Sequence, residues 1–196
     1  MMKIIFASGN PGKLREAAEV LGEAFEIVTP AALGITEDIP ETGSTLQENS
    51  LQKARYLYER TGLPCFADDT GLEVDALGGA PGIHTARYAG PGHDNQANMD
   101  KLLAELLHAE NRRARFHTVI TLILADGQPR FFEGFCEGAI ALRKAGLGGF
   151  GYDPVFLPDA YPGRTLAEVS EEEKNAVSHR GNALRALAAW LQNSRL

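Results

Sequence analysis

The opening of this chain restricts its fold more than any other stretch. Residues 3–7 form a short apolar run that reads as a buried strand. Ser8-Gly9-Asn10 is a turn, and Asn10 followed by Pro11 predicts a helix start, with Asn as N-cap and Pro at the first helical position. Leu14, Ala17, Ala18 and Leu21 then recur at helical spacing until Gly22 closes the helix, and residues 25–28 read as a second strand. A strand, a helix and a strand in succession lead to an α/β fold.

The remaining segments continue this pattern. Residues 29–43 are rich in proline, glycine, threonine and acid and read as loop, after which Ser44 and Gln47 match a capping box for a helix over about 45–60. Pro64-Cys65-Phe66-Ala67 reads as a buried strand, with Gly71 predicting a turn just after Asp68-Asp69-Thr70 and before Leu72-Glu73-Val74. Residues 78–82 are turn-rich. Asp94 predicts the cap of a helix whose Met99, Leu102, Leu103, Leu106 and Leu107 form one apolar stripe, read as core. Residues 116–125 and 131–136 read as strands joined through Asp126-Gly127, with 140–142 extending the second. A glycine-rich loop over 146–154, a capping box at Ser170 and Glu173, and a last helix with Ala183, Leu184, Leu187, Ala188 and Leu191 on one face complete the chain. No repeat, low-complexity tract or linker interrupts it. Residues 1–196 therefore read as a single mixed α/β domain with a cleft, soluble and cytoplasmic.

Charge and cysteine content exclude several function classes. A net charge of −7 disfavours nucleic acid and anionic membranes as partners, although a few cations gathered in one place can still hold a small anion. No apolar run approaches the ~20 residues of a membrane span, and residues 1–7 are too short for a secretory signal. The two cysteines, Cys65 and Cys136, lie in apolar runs and read as buried thiols, and the five histidines have no zinc-like spacing.

The chemistry gathers in a few polar stretches. Asp68 and Asp69 are adjacent carboxylates, which raise each other's pKa when buried together, so a positive group must compensate them. A hard divalent cation such as Mg²⁺ suits carboxylate oxygens, though the pair alone also fits an ordinary turn. Ser8-Gly9-Asn10-Pro11-Gly12-Lys13 places a glycine turn, a helix N-terminus with free N–H groups and a lysine after a strand, which makes an anion site as well as a plain strand-to-helix turn. It is not a P-loop, because the glycine-lysine spacing differs and Leu14 replaces the metal-binding hydroxyl. Glu41 lies in the polar loop and Lys53 on the following helix, where solvated positions are the default. Phe150 and Tyr152, with Gly151 and Asp153, offer aromatic faces for stacking on a base or for packing the loop. Lys174 can pair with phosphate, and His179 with Arg180 can present donors to a base carbonyl, or all three can lie on a helix surface. No covalent nucleophile stands out, which suits direct attack of water on a phosphoanhydride.

Taken in order, these segments resemble the inosine/xanthosine triphosphate pyrophosphatase family of house-cleaning nucleotide hydrolases. The likeness rests on Ser8-Gly9-Asn10-x-Gly12-Lys13, Glu41-Thr42-Gly43 with Glu48-Asn49 and Lys53-Ala54, Ala67-Asp68-Asp69-Thr70-Gly71-Leu72, residues 78–82, Gly149-Phe150-Gly151-Tyr152-Asp153-Pro154, and Glu173-Lys174-x-Ala176-x-Ser178-His179-Arg180. The resemblance implies an elongated mixed sheet with flanking helices, two lobes around a central cleft, a homodimer, and Mg²⁺-dependent hydrolysis of ITP, dITP or XTP to the monophosphate and pyrophosphate. It implies that residues 8–13 (Ser8, Gly9, Asn10, Pro11, Gly12, Lys13) and Lys53 hold the triphosphate. Glu41 and Asp69 would bind Mg²⁺, with Asp69 taking the proton of the attacking water and Asp68 in support. Thr70 would touch the substrate. Phe150, Gly151, Tyr152 and Asp153 would form one wall of the base pocket, closed by Lys174, His179 and Arg180. Thr70 stands where a serine is common, and Pro11 removes one possible N–H donor to phosphate. Donors from His179 and Arg180 would match the 6-oxo group of these bases and oppose the 6-amino group of adenine, a mismatch that can reach ~10⁴-fold.

Two other readings compete: a related pyrophosphatase of the septum-site type acting on dTTP or UTP, and a nucleotide sensor without turnover. The paired acids argue against the sensor.

Overall fold

The β-α-β opening forms as its sequence requires. In the computed structural model, which describes residues 2–194, strand β1 (Met2–Phe6) leads into helix α1 (Pro11–Leu21), capped by Asn10 and ended by Gly22, and then into β2 (Phe25–Val28), parallel to β1. Helix α2 (Leu46–Thr61) returns the chain to β3 (Cys65–Val74), also parallel to β1. There follow β4 (Pro81–Gly82), α3 (Asn95–Glu105), β5 (Arg113–Ile123), β6 (Pro129–Ile140), β7 (Phe156–Pro158), α4 (Glu171–Val177) and α5 (His179–Asn193). The strand order is β2-β1-β3-β5-β6-β7, with β4 paired to β3. The antiparallel β3–β4 and β6–β7 pairs make the sheet mixed, as the sequence implied.

The chain gathers into two compact units, and strands β3, β5 and β6 each pass from one into the other. The first unit takes the chain up to Asp69, residues 118–134, and the chain from Arg180 on; the second takes residues 70–117 and 135–179.

In the first unit, the period-2 alternation of side chains along a strand sorts the core into two layers. Ile4, Phe6 and Phe66 pack with Ala17 and Leu21 of α1 and with Leu184 and Leu187 of α5. Their neighbours Ile5, Cys65 and Ala67 face the other way, onto Ala54 and Leu57 of α2. Phe6 and Phe66 stack with centroids 4.4 Å apart, and each ring buried this way contributes ~1.5–3 kcal/mol. In the second unit, Leu72, Val74, Phe116 and Phe156 pack on Met99, Leu102 and Leu106. The Arg112 guanidinium and its Nε donate to the carbonyls of Leu106, Ile140 and Ala141, which ties the end of the α3 segment to β6.

Three expectations are corrected by the fold. Gly71 makes no turn: β3 runs straight through it. A Cβ at Gly71 would stand 2.6 Å from the Gly82 carbonyl oxygen, so the glycine serves the close approach of β4 rather than a reversal. Thr45, not Ser44, caps α2. Its Oγ1 accepts from the Glu48 N–H, while Glu48 reaches back to the N–H and hydroxyl of Ser44, so the cap falls one residue later than the Ser44–Gln47 spacing implied. Leu107 is 72% exposed because α3 ends at Glu105 and the helical period no longer applies beyond it.

Candidate active site

Because β3 continues through the acid pair, adjacent side chains must point to opposite faces of the strand. Asp68 follows Phe66 toward α1 and α5, and Asp69 follows Cys65 and Ala67 toward α2. β1 stops at Phe6, where the Ala7 N–H donates to the Phe66 carbonyl and the chain turns away at Ser8. Both carboxylates therefore stand just past the carboxyl end of a parallel strand, the place where open α/β sheets bind ligands.

Asp68 is 2% exposed and gripped by cations. Lys13 Nζ donates to both of its oxygens, at 3.1 and 2.9 Å, and Arg180 Nε donates to Oδ2 at 3.0 Å. Burial by itself would raise this carboxyl's pKa, but the charges of Lys13, Arg180 and Lys53 outweigh it and hold the group well below the usual carboxylate range. Asp68 thus stays ionised with its lone pairs occupied. The compensating charge inferred from sequence is present, and two of this chain's own side chains supply it.

Asp69 is shifted in the other direction. Burial raises its pKa, the Lys53 charge lowers it, and the nearby Glu41 and Asp68 charges help leave it above the ordinary value. Lys53 Nζ lies 2.6 Å from Glu41 Oε1 and 3.5 Å from Asp69 Oδ1, so one ammonium holds both carboxylates within its reach. Burial would depress the pKa of Lys53, but Asp69, Asp68 and Glu41 together raise it, and the lysine remains charged. Glu41, placed by sequence in a nondescript loop, is thereby brought onto the acid pair's α2 side.

The turn over residues 8–13 differs from its expectation. Asn10 Oδ1 already accepts the N–H groups of Gly12 and Lys13, at 2.8 and 3.3 Å, and the Asn10 N–H donates to Ser8 Oγ. These donors are satisfied within the turn, and Pro11 has none. This segment also offers an anion the α1 dipole and the Lys13 ammonium, whose side chain is 28% exposed.

Arg180 pairs with Asp68 and, at 3.5 Å, with Glu16 of α1. Burial alone would lower its pKa; the two acids raise it. The sequence missed this because the polar stretch over 173–180 is broken at Ser178, which ends α4 and sends Arg180 into a new helix.

In the second unit, Phe150 is 69% exposed, with Lys174 Nζ lying 4.7 Å above its ring. Asp153 is buried beneath it, accepting from the Phe150 N–H at 2.8 Å and from Lys174. A Cβ at Gly149 would fall 2.1 Å from Asp153 Oδ2, which explains a glycine there. Gly151 adopts φ 62°, a conformation glycine takes without strain. Tyr152 is buried with its hydroxyl on the Thr85 carbonyl, so its ring packs the core instead of forming an open stacking face. His179 stacks on Phe116, with centroids 4.9 Å apart. Thr70 follows Asp69 directly, at the point where β3 passes from the first unit to the second.

As a metal site, the Glu41 and Asp69 pair fits a hard cation. Mg²⁺ takes one or two protein carboxylates and completes its shell with water and substrate phosphates. Among the described residues there is no cluster of three or more His, Cys, Asp or Glu side chains placed for a metal, as an all-protein cage would need.

Residues 4–190 match the Ham1 family. A dITP/XTP pyrophosphatase from Porphyromonas gingivalis is 53% identical over 192 residues, covering 97% of this chain and 98% of that protein. Among solved structures, the Staphylococcus aureus Ham1 protein superposes with a TM-score of 0.92 at 39% identity, covering 98% of this chain and all of that one. A structure from Mycobacterium abscessus described as a nucleoside-triphosphatase or dITP/XTP pyrophosphatase gives 0.81 at 46% identity, covering 97% of this chain and 99% of that one.

Proposed function

This chain belongs to the Ham1 family, and from that premise we propose that it is a nucleoside triphosphate pyrophosphatase. It hydrolyses deaminated purine nucleotides (ITP, dITP and XTP) to the monophosphate and pyrophosphate, clearing them from the nucleotide pool. The observation that carries this reading is the placement of two neighbouring acids on opposite faces of β3, each against its own cations. Asp68 is clamped between Lys13 and Arg180, and Asp69 lies where one lysine also holds Glu41.

A carboxylate placed beside the attacking water can accept its proton. Asp69 therefore takes the proton from the water that attacks the innermost phosphorus. Lys53 and Lys13 spread the charge that develops on the phosphate oxygens. Asp68 holds Lys13 and Arg180 in register and accepts no proton. Glu41 and Asp69 would hold Mg²⁺, which would supply Lewis acidity toward the phosphates and lower the pKa of bound water. Phe150, supported by Lys174 and Asp153, offers its exposed face to the base. Thr70 and His179 complete the substrate contacts. We also propose that the protein works as a homodimer in the cytoplasm; the family resemblance supports this.

A pyrophosphate-release panel over ITP, dITP, XTP and the common nucleoside triphosphates, with and without Mg²⁺, tests the assignment. Preferential, Mg²⁺-dependent release of pyrophosphate from the deaminated purines is expected. Release of orthophosphate, or faster turnover of dTTP and UTP, would overturn it.

A further inference from the structure

Thr85 has no part in the scheme above, yet it bonds two segments of the second unit to which substrate contacts are assigned. It opens a short 3₁₀ turn (Thr85–Arg87) just after β4. Its hydroxyl accepts the Leu72 N–H at 2.8 Å and donates to the Gly82 carbonyl. Its own carbonyl accepts the Tyr152 hydroxyl at 2.8 Å. Leu72 follows Thr70 by two residues on β3, and Tyr152 follows Phe150 by two residues in the glycine-rich loop. All of these residues belong to the second unit.

The hydroxyl sits at a defined place in the β3–β4 ladder. Leu72 lies opposite Gly82, and one step along the Val74 N–H donates to the Ala80 carbonyl. Hydrogen-bonded pairs recur every second residue in an antiparallel ladder, so Leu72 and Gly82 form the next pair. A hydroxyl both accepts and donates, and Thr85 bonds the N–H of one and the carbonyl of the other. The segment that carries Thr85 is itself pinned. Asn98 of α3, 1% exposed, accepts the Ala89 N–H at 2.7 Å and donates to the Ala86 carbonyl at 3.1 Å. On the loop side, Tyr152 is buried, and a buried phenol needs a partner for its O–H. The carbonyl of Thr85 is that partner.

We propose that Thr85 is a positioning residue that fixes the Phe150 loop against the stretch of β3 beginning at Thr70. It thereby sets where the exposed Phe150 ring stands to receive a base. For its effect on nucleotide binding this inference rests on the pyrophosphatase reading; for the anchoring of the loop it does not. A loop that holds the base equally in ground state and transition state contributes uniform binding, so loosening it raises KM and leaves kcat in place. A residue that only stabilised the fold would do the reverse, because fewer folded molecules lower the apparent kcat at constant KM.

Three variants of the full chain test this. Thr85→Val keeps the shape and loses the hydroxyl, Thr85→Ser keeps the hydroxyl, and Tyr152→Phe removes only the bond to the Thr85 carbonyl. The readouts are hydrogen exchange at the Leu72 and Phe150 amides without nucleotide, and kcat and KM for ITP at saturating Mg²⁺. In Thr85→Val both amides should exchange at least ~10-fold faster, and KM should rise at least ~5-fold with kcat within ~3-fold of wild type. Tyr152→Phe should raise KM and speed Phe150 exchange in the same way while Leu72 stays protected. Thr85→Ser should match the wild type. Unchanged exchange at Phe150 or unchanged KM in either folded loss variant, or a Thr85→Ser that behaves like Thr85→Val, would overturn the proposal. If Thr85→Val fails to fold, Tyr152→Phe and Thr85→Ser decide the matter. If the wild-type protein released no pyrophosphate at all, the enzymatic reading would fail, while Phe150 exchange would still decide the anchoring of the loop.

Discussion

The Asp68 clamp makes a quantitative prediction. Asp68→Asn leaves the shape nearly unchanged but removes the charge that Lys13 and Arg180 share. Breaking a buried ion pair from one side costs ~3–5 kcal/mol. Two features reduce this here. The Lys13 side chain is 28% exposed, so its ammonium regains water, and Arg180 keeps Glu16 at 3.5 Å. The expected loss is therefore ~2–4 kcal/mol near neutrality. For a chain of this size each kcal/mol moves Tm by ~2–4 °C, so the apparent Tm should fall by ~5–15 °C. The pH dependence fixes the mechanism. The folded pKa of Asp68 is depressed, so its stabilising contribution is complete well above the unfolded value of ~3.9 and is lost as pH falls from there toward the folded pKa. Thermal denaturation of both proteins should show a gap that is constant from about pH 7 to ~pH 5 and begins to narrow only as pH falls below ~4. A loss below ~1 kcal/mol, or a gap that does not change with pH, would refute the claim that the clamp is electrostatic.

Asp69 should behave in the opposite way. Its folded pKa is raised, so ionisation opposes folding once pH exceeds the unfolded pKa, and Asp69→Asn should abolish pyrophosphate release while leaving Tm unchanged or higher; a folded variant with substantial turnover would refute the assignment. Gly71→Ala should destabilise by ~1–3 kcal/mol in urea denaturation, because the added Cβ meets the Gly82 carbonyl oxygen at 2.6 Å; a turn at Gly71 would have tolerated it. Burial pushes the Cys65 thiol up to about 12 and Cys136 to about 11, so neither should be alkylated by iodoacetamide near pH 8 in the folded protein, and both should react after unfolding.

The elements that could be read from sequence are those set by local chemistry. The Asn10–Pro11 start and Gly22 stop of α1, the Ser170–Glu173 capping box and the apolar face of α5 all form as predicted, because caps and helical periodicity act within a few residues. The acid pair could also be seen, together with the need for positive charge beside it. Its arrangement could not. Whether Gly71 turns the chain or permits close packing depends on β4, ten residues further along and brought alongside only by the fold. That single outcome decides whether Asp68 and Asp69 share one face or are divided between two. Once β3 runs on, alternation sends Asp68 to cations from α1 and α5, and Asp69 to Lys53 and Glu41 on the α2 side. Local sequence determined which groups this protein carries. The tertiary structure decided which charges meet, because ion pairing depends on distance through space, and the partners of Asp68 lie 55 and 112 residues away along the chain.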